Sequence, residues 1–170
     1  MSDPNEILER RLNQAIQHRK TEGLHFFCQI GGRNLEEGMT TLQMSGNGWT
    51  LLGWRNLEDD AQCLHSIQMS WKDQRHLFEL LLEYPFWEAS PARRDREGEE
   101  KNVHLRLSDR DRGTYSGVHF WDTEMSTFPD LKFLMWDLCQ LIQNISEGDI
   151  PFILEDSVEE ESPARRRARR

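Results

Sequence analysis

The chain has 170 residues, enough for one domain with a full core and too few for two comfortable ones. Its 30 acidic against 21 basic side chains leave a net charge of -9, which argues against nucleic acid as the default partner of the folded body, because duplex binding rests on neutralising phosphates. No apolar run approaches the roughly 20 residues needed to span a bilayer, and the opening Met-Ser-Asp-Pro-Asn-Glu lacks the regions of a signal peptide, so a soluble, cytoplasmic protein of bacterial style is expected.

Asp3, Pro4 and Glu6 read as a helix start: a capping carboxylate, a proline whose missing N–H costs nothing there, and an acid three residues after the cap. This helix is expected to run to about Thr21 and to end at Gly23. Its apolar stripe, Ile7, Leu8, Leu12, Ala15 and Ile16, suits docking on the body or on a partner.

From Leu24 to Ile30 apolar and polar residues alternate as in a half-buried strand, apart from Phe27 on the polar side. Thr40 to Met44 and Trp49 to Trp54 flank Ser45-Gly46-Asn47-Gly48, a hairpin signal because Asn-Gly tolerates the positive φ of tight turns. A fourth, weaker strand is expected between Gln62 and Met69. Ser70, with Asp73 three residues on, resembles a capping box and opens a helix carrying Leu77, Phe78, Leu81 and Leu82. Pro85 ends it, and Phe86 and Trp87 are expected to plug the core beneath.

Residues 90–101 are almost wholly polar, an exposed loop by composition. Val103, Leu105 and Leu107 alternate with His104 and Arg106, Asp109 to Gly113 supplies a turn, and Tyr115 to Trp121 returns as the partner strand. A last amphipathic helix is expected from Thr127 to about Glu147, with Leu131, Leu134, Met135, Leu138, Leu141, Ile142 and Ile145 on one side. Ile150 to Leu154 is apolar and extended, suited to a sheet edge or to covering the core. From Glu155 on, five acids followed by five arginines read as a disordered polyampholyte tail, so residues 1–154 carry the whole net charge.

The elements add up to an α+β domain: an antiparallel sheet built from two hairpin-like units, each followed by a helix packed on one face, plus an N-terminal amphipathic helix. The expected segments are the helix at 1–22, a single domain at 23–154 and the tail at 155–170.

Chemistry-bearing motifs are sparse. Cys28, Cys63 and Cys139 are odd in number and set among apolar neighbours, the pattern of reduced cysteines. There is no Gly-x-Ser-x-Gly, no phosphate-binding glycine loop and no pair of histidines at metal-ligand spacing on one helix turn. Neither a catalytic group nor a cofactor or metal is expected. The competing reading is a metal or acid/base site at the second hairpin, where His104 and His119 would sit on neighbouring strands with Glu124 just beyond.

Six tryptophans are many for this length, and Trp49 and Trp54 fall on opposite faces of one short strand while Trp136 lies off the main stripe of its helix. At least one is therefore expected at a surface, where tryptophan is characteristic of binding hot spots. The candidate binding residues are Trp49, Trp54, Trp121 and Trp136, the helix stripe Ile7, Leu8 and Leu12, and the terminal Arg165, Arg166, Arg167, Arg169 and Arg170. The arginines suit nucleic acid, an acidic protein or anionic lipid, or pairing with the preceding glutamates or the acidic body itself.

The order of elements, a Gly-Gly after the first strand and the passage Leu77-Phe78-Glu79-Leu80-Leu81-Leu82-Glu83-Tyr84-Pro85-Phe86-Trp87 before a polar loop and hairpin resemble small bacterial α+β proteins of emfourin-like shape. Emfourin inhibits thermolysin-like metalloproteases, so the resemblance implies the fold and, as an alternative activity, proteinaceous protease inhibition. The reading preferred from the residues is a non-enzymatic adaptor or assembly component acting by protein–protein contact.

Overall fold

A computed structural model of the chain describes residues 2–31, 38–56 and 60–151. Four strands follow one another as a meander: β1 (Leu24–Gly31), β2 (Met39–Ser45), β3 (Trp49–Asn56) and β4 (Ala61–Gln68). β5 (Asn102–Asp109) then pairs with the free side of β1 along its whole length, from Leu24 opposite Asp109 to Gly31 opposite Asn102, and β6 (Thr114–Trp121) adds outside it. The result is one six-stranded antiparallel sheet in the order β4-β3-β2-β1-β5-β6. The α+β class with an N-terminal helix therefore stands. Within the sheet, a four-strand meander followed by α2 and a two-strand hairpin followed by α3 are joined by the long pairing of β1 with β5.

Three helices, α1 (Pro4–His18), α2 (Trp71–Glu83) and α3 (Pro129–Ile145), share one core with the sheet residues Leu24, Phe26, Ile30, Leu42, Leu52 and Leu105. Strand side chains alternate between faces, so these residues mark a single covered side of the sheet. Leu8, Leu12 and Ala15 of α1 are fully buried in that core. None of the described helices is long and apolar enough to cross a membrane.

The helix ends follow local chemistry. Asp3 accepts the Asn5 amide (3.0 Å), and α1 stops when Arg19 turns left-handed at φ 55°, earlier than the expected Thr21–Gly23 stop. Ser70 Oγ accepts the Asp73 amide (3.1 Å), as a capping residue should. Ser70→Ala is expected to cost about 1 kcal/mol, read as a lowered midpoint in thermal melts, with Ser70→Asp close to wild type. The expected Thr127 cap is not formed: Thr127 closes a 3-10 turn at Asp122–Ser126, and α3 begins at Pro129, whose fixed φ suits the first helical position.

The polar stretch 90–101 is not wholly exposed. Glu100 is buried because Arg94 grips it with two nitrogens (2.8 and 2.6 Å), the Glu97 amide donates to it (2.8 Å), and the Thr123 hydroxyl bonds it as well. The Arg94 bond outweighs desolvation and holds the carboxyl at about 2, so this charge is present throughout the neutral range. Phe86 and Trp87 are buried as expected, and Ile150 seals the core beside α3. The rest of the extended stretch, Phe152 to Leu154, lies outside the described residues, as does the tail from 155. Cys28, Cys63 and Cys139 form no disulfide, and burial pushes the Cys28 thiol well up.

Candidate functional site

Because all three helices lie on one side, the other side of the sheet is uncovered among the described residues. Its side chains come from alternate strand positions and form rows set by the register. One row runs Leu51, Gln43, Phe27, Arg106 and Gly117; the next runs Leu64, Gly53, Thr41, Gln29, His104 and His119. A solvated face is ordinary for an antiparallel sheet. What sets this one apart is its content.

Trp49 (52% exposed), Leu51 (48%), Leu64 (79%) and Tyr115 (61%) are the large apolar side chains left exposed among the described residues, and all four lie on this face. Trp49, Leu51 and Leu64 gather on β3 and β4. At the other end, Phe27 meets the His104 ring edge-on (centroids 5.2 Å), His104 and His119 stack at 3.8 Å, and the Arg106 guanidinium lies 4.4 Å over the Tyr115 ring. A concavity of about 550 Å³ opens between β1, β5 and β6, lined by His25, Phe27, His104, Arg106, Arg110 and Tyr115.

The three imidazoles here are neutral at neutral pH. Burial, the His119 ring and Arg106 push His104 down to about 4; burial and Arg110 lower His25, and burial and Arg93 lower His119. The arginines therefore supply the charge of this region. Asp109, at the floor of the concavity, is engaged by Arg11 (2.8 Å) and Arg112 (3.1 Å).

The candidate residues from the sequence are scattered by this geometry. Trp49 is exposed on the open face, whereas Trp54 turns to the other side and packs against the core. Trp121 is half-buried at the end of β6, its indole N–H donating to the Arg94 carbonyl (3.3 Å), and Trp136 is half-buried on α3. Leu8 and Leu12 are core residues with no surface for a partner, and Ile7 is half-buried beside them. The five terminal arginines lie outside the described residues.

His104 and His119 do meet, directly opposite each other in the β5–β6 ladder. Glu124 does not join them: its carboxylate accepts the Trp121 amide (2.8 Å) and sits 3.4 Å from Arg94. Nowhere among the described residues do three or more His, Cys, Asp or Glu side chains converge on a metal-sized point.

Leu51, Leu64, Tyr115, Phe27 and Arg106 were not singled out as binding residues. The off-pattern Phe27 in β1 was the available signal, an aromatic at a position that alternation assigns to solvent. No protein-family model matches the sequence, and no curated protein matches it significantly.

Proposed function

We propose that this chain is a non-enzymatic binding module that takes a protein partner across the open face of its sheet. The observation that carries this reading is the confinement of Trp49, Leu51, Leu64 and Tyr115 to that one face. Exposed apolar groups scattered singly mean little, but a cluster rimmed by polar side chains is the usual form of an interaction surface. Around it stand Gln43, Gln62, Ser66 and Gln68, neutral donors and acceptors, with Arg55 beside Gln62.

The test is affinity capture from host cells with the full chain and with a Leu51→Ser/Leu64→Ser variant. Both positions face solvent, so the variant is expected to keep the wild-type melting temperature. A stably captured protein should be lost from the variant, and Trp49→Ala should weaken it by about 2 kcal/mol if Trp49 is a hot spot. Capture that is indifferent to all three substitutions would move the binding surface elsewhere.

A further inference from the structure

The open face is also segregated by charge. The chain carries 30 acidic side chains, yet none of the strand positions on this face is Asp or Glu. At the chain's average frequency, several of these positions would hold one. The ionisable groups there are Arg55 and Arg106 with His25, His104 and His119, and Arg110 stands at the rim of the concavity. In a molecule with a net charge of -9, the strand positions of the face that exposes its large apolar groups are thus free of carboxylates.

Resting on the binding role proposed above, we infer that the partner segment is an acidic polypeptide with apolar anchors: aliphatic or aromatic residues seat on Trp49, Leu51 and Leu64, and carboxylates seat at Arg106 and Arg110. Charge complementarity selects the anionic class: no strand position on this face is acidic, and Asp109, beneath the concavity, is already paired with Arg11 and Arg112. Peptide is favoured over single-stranded nucleic acid by the side chains themselves. Leu51 and Leu64 give a base no π-surface to stack on, and Arg55 and Arg106 stand on β3 and β5, with β2 and β1 between them, so they form no continuous cationic track for a phosphate backbone. Arg106 lies over the Tyr115 ring, and a planar guanidinium can meet a carboxylate with two parallel N–H bonds.

Panning a displayed library of random peptides, each long enough to cross the sheet, against the immobilised full-length protein tests this directly. Binders should be enriched in Asp and Glu interspersed with Leu, Phe or Trp. Synthetic versions should bind about tenfold more weakly to Arg106→Glu, while Arg75→Glu on α2, an equal charge reversal on the helical side, should change little. Thermal melts of both variants confirm that the fold is intact.

Binders that need Leu51 and Leu64 but show no acidic bias, or that ignore Arg106→Glu, overturn the chemistry assigned here and leave the binding face standing. Binders that ignore the leucines as well, or an absence of any enriched peptide, remove both. Tighter binding of random single-stranded RNA or poly(dT) than of any peptide, abolished by Arg106→Glu, makes the partner a nucleic acid and overturns the inference. So does a concentration-dependent dimer in sedimentation that the leucine substitutions abolish, because the occupant is then a second copy.

Discussion

Asp109→Ala is expected to destabilise the fold by about 3–5 kcal/mol, the range for removing one partner of a buried ion pair. The Asp109 side chain is fully buried at the end of β5 and accepts from Arg11 Nε (2.8 Å), Arg112 (3.1 Å) and the Asp111 amide (3.1 Å). Arg11 in turn donates to the Glu22 carbonyl (2.8 Å) and to Gln14 (3.1 Å). The pair thus ties α1, the segment entering β1 and the β5–β6 turn together. Without the carboxylate, the buried Arg11 guanidinium has only neutral acceptors. The loss should appear in urea titrations as a lower midpoint at unchanged slope. An Arg11→Met/Asp109→Asn double variant should lose less than Asp109→Ala, because no uncompensated charge remains; equal losses would mean the charge pair is not the cause.

The same pair sets a pH dependence. Burial alone would raise the Asp109 pKa, but the bond and charge of Arg11 and the bonds from Arg112 more than offset it and hold the group below its ordinary value. A depressed carboxylate contributes its stability above the unfolded pKa and loses it as pH falls through the folded value. The wild type should therefore lose stability on acidification below about pH 4 more steeply than Asp109→Asn does. Parallel acid profiles for the two proteins would assign the acid sensitivity to other carboxylates.

Phe26→Ala and Phe27→Ala, one residue apart on β1, should differ by several kcal/mol. Phe26 is 1% exposed in the core under the helices, and its truncation should cost about 3–5 kcal/mol through lost burial and the cavity left behind. Phe27 points to the open face, where it touches the His104 ring, and its loss should cost under about 1 kcal/mol in stability. Peptide binding should respond in the opposite order once the stability loss is allowed for, since Phe27 lines the concavity and Phe26 is core. Similar urea midpoints for the two variants would mean that the sheet is covered on both sides in solution.

Local pattern made much of the fold legible. Alternation marked β1, β5 and β6, Asn47-Gly48 marked the β2–β3 turn, and Ser70 marked the start of α2, because each depends on residues within a few positions of one another. β4 was faint for a physical reason: it is an edge strand whose inward residues Cys63, His65 and Ile67 are only half-buried, which blunts its contrast. Thr127 misled because a side chain fit to cap a helix lay just ahead of Pro129, which starts the helix without one.

The site was less legible than the fold. Trp49 and Trp54 looked equivalent as candidate anchors, and only the placing of every helix on one side of the sheet made the first an exposed residue and the second a core contact. Leu8 and Leu12 formed a stripe compatible with body or partner, and the body took them. By itself the sequence determined the elements, the turns and which residues alternate, since these are matters of neighbouring side chains and backbone preference. The tertiary structure alone decided that β5 pairs with β1, that the described helices all pack on one face of the sheet and that the strand positions on the other face are free of acids. Those facts depend on strands far apart in the chain lying side by side, which no local pattern encodes.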